Sequence, residues 1–162
     1  MSVGAASWSF TEGDSNAITV ALQRFLTDSS ARCALLVDRT GQLVATVGEQ
    51  PKFDPTTFAS LTAADFSAND QLAQLIGESD FNSLFHQGEK ESMYLADVAG
   101  RVILVVLFDN RTTLGLVRLK MKQTVEELRR LFEAVFTRGT SGQPAAPNIL
   151  AGADDEIDKL FQ

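Results

Sequence analysis

The sequence predicts a three-layer α/β/α sandwich, of mixed α/β (α+β) class, built on a mostly antiparallel five-stranded sheet with helices on both faces. Three observations carry this. Val102-Ile-Leu-Val-Val-Leu-Phe108 is seven consecutive apolar residues, too short to span a membrane but suited to a strand covered on both faces. Amphipathic helical patterns stand at the start, middle and end of the chain. Between them the apolar pattern breaks into short runs separated by turn residues, the order of a sheet made largely from hairpins.

The first helix is expected from about residue 14, with Asp14 or Ser15 as cap and Ile18, Leu22 and Phe25 at i, i+4 and i+7. Ala21 widens that stripe, and the helix ends near Asp28-Ser-Ser30. Cys33-Ala-Leu-Leu-Val37 and Leu43-Val-Ala-Thr-Val47 form a hairpin, with Gly41 able to supply the positive φ of its turn. Asp54-Pro55 opens the second helix, the carboxylate as N-cap and the proline where its missing N–H costs nothing. Phe58, Leu61, Ala68, Leu72, Leu75 and Ile76 are read as the core-facing side of that helix, and Gly77 as its end. Asp65 falls awkwardly close to this stripe.

Phe81 to Phe85 and Ser92 to Val98 are the next strands, and Ala99-Gly100 turns into the apolar strand. From Thr113 the period changes. Leu114, Val117, Met121, Val125, Leu128, Phe132 and Val135 step by three and four, which predicts one long helix. A capping box at Thr124–Glu127 offers a rival, in which residues 115–121 extend the strand; the unbroken stripe favours the long helix. The expected organisation is a flexible N-terminus at 1–12, a domain at 13–137, a Gly/Pro-containing linker at 138–153 and a short amphipathic helix at 154–162.

Composition narrows the function. The net charge of −7 argues against non-specific nucleic-acid binding, which depends on Lys and Arg neutralising phosphates. Cys33 is the sole cysteine, so no internal disulfide forms, and a reducing cytoplasm is the expected setting. Neither a signal peptide nor a membrane span is expected. His86 is the one histidine, and with no second histidine or reactive cysteine near it in sequence it reads as a packing or hydrogen-bonded residue. No phosphate-binding loop of the G-x-x-x-x-G-K-[ST] type occurs, and paired carboxylates stand only in the tail. No catalytic residues, cofactor or metal are therefore expected, and the chain reads as a protein that works through its surfaces.

Two surfaces stand out. Ser60, Ala64, Ser67 and Gln71 follow one another at i, i+4, i+7 and i+11 and are expected opposite the Leu61/Leu72 stripe. With Ala68 beside them they form a candidate subunit or partner interface, because small side chains let another backbone approach closely. In the tail, Ile157, Leu160 and Phe161 sit at i, i+3 and i+4 behind Asp154-Asp-Glu156. That is the pattern of a docking helix. Arg111, Arg118, Lys120, Lys122, Arg129 and Arg130 crowd the last long helix and its approach, an internal basic counterpart to this acidic segment.

Four segments carry a family resemblance: Leu36-Val-Asp-Arg-Thr-Gly-Gln-Leu43, Leu75-Ile-Gly-Glu78, Phe85-His-Gln-Gly88 and Leu104-Val-Val-Leu-Phe-Asp-Asn-Arg-Thr-Thr-Leu-Gly-Leu-Val-Arg118. With the element order, they make residues 14–137 resemble the roadblock/LC7 domain, in particular its MglB-type regulators of the Ras-like GTPase MglA. The terminal Asp-Asp-Glu-Ile-Asp-Lys-Leu-Phe is similar to the tails of that group. The resemblance implies a cytoplasmic homodimer, formed through the second helix and third strand, that can concentrate at a cell pole. Its partner would be a GTP-bound small Ras-like GTPase of the MglA type, in bacterial polarity or motility. It implies no arginine finger: such a dimer remodels the GTPase's own switch loops, while the tail docks away from the main contact. A roadblock scaffold that recruits a partner without stimulating hydrolysis is the alternative, and a small-molecule sensor is a more distant one.

Overall fold

The computed structural model describes residues 10–79 and 81–141. Three helices and five strands follow in the order α1 (Glu12–Ser29), β1 (Cys33–Asp38), β2 (Leu43–Gly48), α2 (Pro55–Leu75), β3 (Ser83–Gln87), β4 (Ser92–Val98), β5 (Val102–Phe108) and α3 (Leu114–Ser141). The strands make one sheet in the order β2-β1-β5-β4-β3, with every neighbouring pair antiparallel.

The two strands richest in consecutive apolar residues, β1 and β5, pair with each other near the middle of the sheet and are buried on both faces. One face carries Ala34, Leu36, Tyr94, Ala96, Leu104 and Val106, covered by Leu22 and Phe25 of α1 and by Met121, Leu128 and Phe132 of α3. The other face carries Cys33, Leu35, Val37, Leu95, Ile103 and Val105, packed against Ala59 and Phe66 of α2. The period-2 geometry of a strand sends alternate residues to these two cores, so the apolar run that announced a covered strand serves both.

The hairpin turns follow from the backbone. Gly41 adopts φ +94°, and a side chain there would meet the backbone of Ser60 on α2 at 3.2 Å; the β1–β2 turn is thereby seated against α2. Asp38 Oδ1 organises the same turn by accepting from the N–H groups of Thr40 (2.9 Å) and Gln42 (3.0 Å) and from the Thr40 hydroxyl (2.6 Å). Ala99 and Gly100 both have positive φ (57° and 69°), the type I′ conformation that matches strand twist in a two-residue hairpin.

Several boundaries differ from the sequence reading. The cap of α1 is Thr11 rather than Asp14 or Ser15. Asp14 stands at the third helical position and completes a capping box, its carboxylate accepting from the Thr11 N–H at 2.9 Å. Phe10 packs edge-to-face on Phe132 at 5.6 Å, so residues 10–12, expected to be loose, belong to the fold. Strand β3 starts two residues later than expected and includes His86. The helix α3 begins at Leu114, directly after Thr113, whose hydroxyl accepts from the Leu116 N–H at 3.2 Å; the long-helix reading holds, and Thr124 is buried in mid-helix. That helix runs to Ser141, so residues 138–141, expected as linker, are helical.

Candidate partner interface

Helix α2 is the element on which the candidate surface depends. Asp54 starts it: its carboxylate accepts from the Thr56 and Thr57 N–H groups at 3.3 Å and from the Thr57 hydroxyl at 2.6 Å. The Thr57 hydroxyl bond leads in holding this carboxyl below its usual range. Pro55 occupies the first helical position. Phe53 stacks on Phe58 at 4.5 Å and fixes the entry of the chain.

The side of α2 that meets the sheet is not the one the leucines indicated. Its buried residues are Ala59, Thr62, Ala63, Phe66, Asn69 and Ala73. Leu61, Leu72, Leu75 and Ile76, expected in the core, are 65%, 58%, 82% and 70% exposed. The physical reason lies in helix geometry. Ala59, Ala63, Phe66 and Ala73 also recur at helical spacing, so the helix has two apolar sides. The side with small residues lets α2 lie close to the sheet around one large anchor, Phe66. That alanine spacing was the signal available in the sequence, outweighed by the bulk of the leucines.

This rotation changes the reading of the candidate interface. Ser60, Ala64, Ser67, Ala68 and Gln71 are all exposed. They do not stand opposite the leucines: Leu61, Ala64, Ala68, Leu72 and Leu75 form one outward row at i, i+3, i+7, i+11 and i+14, with Ser60, Ser67 and Gln71 in the row beside it. The outer surface of α2 is thus an apolar ridge edged by small polar residues.

Polar contacts fix α2 in position. Arg39, in the β1–β2 turn, pairs with Asp70 of α2 at 2.8 Å and with Asp97 of β4, and its guanidinium lies 4.8 Å from the centre of the Phe66 ring. Nothing in the sequence pattern singled out Arg39, because its partners lie 31 and 58 residues away. Asp65 reaches across to His86 of β3, Oδ2 to Nε2 at 2.7 Å. The awkward carboxylate and the lone histidine are thus partners, and the pair joins the ridge helix to β3, an edge strand of the sheet with one side of its backbone unpaired among the described residues. The ridge and the open edge therefore adjoin.

The remaining candidates divide plainly. Cys33 is buried in β1, and burial, the leading cause, pushes its thiol up to about 11; it is a packing residue with little thiolate at neutral pH. Arg111 is held by Asp109 (3.0 Å) and Glu49 (3.1 Å). Arg129 pairs with Glu126 and with Glu133, and Arg130 with Glu126. Ile157, Leu160 and Phe161 lie outside the described residues. Among the described residues, no helix is long and apolar enough to cross a membrane, and no three His, Cys, Asp or Glu side chains are grouped to hold a metal ion.

Known proteins share this architecture. The MglB of Myxococcus xanthus is 46% identical, over 72% of this chain and 95% of that one, with a TM-score of 0.70. The gliding protein MglB of Thermus thermophilus is 33% identical, over 79% of this chain and 97% of its own, with a TM-score of 0.73. A further MglB structure, described as having a tetrameric arrangement, is 32% identical over 80% of this chain and 97% of that one, with a TM-score of 0.74. The family model of the roadblock/LC7 domain matches residues 18–108, which takes in all five strands and the ridge helix. With the two-sided sheet and the α2 ridge already in place, this match establishes that the chain belongs to the roadblock/LC7 family.

Proposed function

We propose that this protein is a GTPase-activating regulator of a small Ras-like GTPase of the MglA type, in bacterial cell polarity or motility, and that it acts as a homodimer joined through α2 and the edge strand β3. The observation that carries the reading is the exposed row Leu61–Ala64–Ala68–Leu72–Leu75 in a chain similar to MglB proteins. Large apolar side chains aligned on a well-formed helix are a surface that association removes from water. The adjoining free edge of β3 supports a sheet that continues into a second copy, since its unpaired N–H and C=O groups suit strand addition.

In this reading two α2 helices present a paired surface, and the GTPase lies on the face that bears them. The protein's own contribution is positional. Arg39, Phe66 and the Asp65–His86 pair set where α2 stands, and α2 presses the GTPase's switch loops into the arrangement in which its own groups hydrolyse GTP. The transition-state charge is met by groups of the GTPase and its bound ion, with no side chain inserted from this chain. The tail residues Ile157, Leu160 and Phe161 supply a second contact with the GTPase.

Adding this protein to its cognate GTPase is expected to raise the rate of GTP hydrolysis with saturable dependence on concentration. Binding without any change in turnover selects the scaffold alternative. Deleting residues 148–162 is expected to leave the dimer folded and to alter GTPase affinity or nucleotide exchange. Identical binding and exchange with and without the tail remove it from the mechanism.

A further inference from the structure

The α1/α3 face of the sheet is incompletely covered. The helix α3 packs on β4, but among the described residues no helix packs closely over β3 at the sheet edge. An open groove of about 400 Å³ is left between α3 and the β3–β4 edge. Tyr94, Ala96, Met121 and Val125 give it an apolar floor, and Arg118 and Lys122 stand on its helical rim.

Among the described residues, the charge of that rim has no counter-ion. Arg129 and Arg130 on the same helix are paired with Glu126, and Arg111 before it with Asp109 and Glu49. Arg118 and Lys122, one helical turn apart, are exposed and have no acidic partner among the described residues. Asp97 borders the groove, but its carboxylate is engaged by Arg39 and by the Gly100 N–H. The groove thus offers two cations, unpaired among the described residues, above an apolar surface.

We propose that this groove is the seat of the chain's own C-terminal segment, residues 154–161, when no partner holds it. The chemistry is complementary at both levels. Asp154, Asp155 and Glu156 meet Arg118 and Lys122, while Ile157, Leu160 and Phe161 lie on Tyr94, Met121 and Val125. The chain is long enough. From Ser141 back to Lys122 along α3 is about 28 Å at roughly 1.5 Å per residue. From Ser141 on to Asp154 the chain spans up to about 43 Å at roughly 3.3 Å per residue. Tethering makes the encounter intramolecular, so weak contacts suffice for occupancy. A seated tail is withheld from any other partner, and release from Arg118 and Lys122 would set its availability. This seat does not depend on the GTPase reading.

The test uses the full chain with a paramagnetic tag on Gln162→Cys, since Cys33 is buried and escapes labelling. The expected result is loss of amide signal at Ser83, Tyr94 to Ala96 and Arg118 to Val125, with signal restored in the tagged R118E/K122E protein. Raising the salt concentration severalfold in the unmutated tagged protein should restore it in part, because the charges are screened. No loss at these amides, or loss that survives both charge reversal and salt, overturns the proposal. So does loss only in an untagged isotope-labelled chain mixed with a tagged unlabelled one, which would place the tail on a second copy. That outcome leaves the GTPase reading standing, while failure to stimulate GTP hydrolysis leaves the groove assignment standing.

Discussion

Helices α2 and α3 are both amphipathic, both pack on the same sheet, and use their large apolar residues in opposite ways. In α3 the stripe Val117, Met121, Leu128, Phe132 and Val135 is buried against the sheet and α1. In α2 the corresponding large residues Leu61, Leu72 and Leu75 face outward, while alanines, Thr62, Asn69 and a single phenylalanine face in. The difference teaches that an apolar stripe marks a surface destined to leave water without saying whether its cover comes from the same chain. Burial of apolar area is non-directional. Where a helix carries a second, closer-packing side, the bulky side is free for association.

The comparison is sharpest at paired truncations. Phe132→Ala is expected to lower unfolding stability by about 3–5 kcal/mol at any protein concentration, since it empties a fully buried site. Leu72→Ala should behave differently. Its effect on the melting midpoint should grow with protein concentration, because it acts through association. Denaturation at two concentrations separates them, and a concentration-independent loss at Leu72 would make α2 an ordinary core helix.

Ala64→Arg tests the ridge by insertion. An unpaired charge at a packed contact costs on the order of 3–5 kcal/mol, so the variant should lose dimer mass and GTPase stimulation together while its circular dichroism stays native. Intact dimer and stimulation would move the interface elsewhere. The smallest expected effect lies where α3 meets α1. Burial raises the Asp14 carboxyl, but hydrogen bonds from the Thr11 N–H, Arg138 and the Thr11 hydroxyl outweigh it and hold the group below its ordinary 3.8. A carboxyl depressed in the folded state contributes stability above its unfolded pKa and loses it as pH falls through the folded value. Asp14→Ala is therefore expected to cost about 1 kcal/mol at neutral pH, and that difference should shrink below about pH 4 in acid-unfolding titrations.

What was legible in the sequence was local. The Gly41 and Ala99-Gly100 turns, the Asp54-Pro55 helix start and the two-sided strand at Val102–Phe108 rest on backbone preference and on period within one element. Thr11, Asp14 and Ser15 are all competent caps, so the sequence offers Asp14 or Ser15, three or four residues beyond the observed cap at Thr11. The choice fell to Phe10, whose packing on Phe132 of α3 sets where the chain enters. Asp65, awkward beside its stripe, and His86, expected to be packed or hydrogen-bonded, become partners only once β3 lies beside α2.

The sequence by itself determined the order of elements, the buried central strand and the long final helix, because these follow from residues a few positions apart. Which side of α2 meets the sheet, which of the clustered cations find acidic partners among the described residues, and the pairing of Arg39 with Asp70 and Asp97 were decided only by the tertiary structure. Those outcomes depend on distance between residues far apart in the chain, and on a competition between close packing and bulk. Helical periodicity names the contestants and leaves the result to the fold.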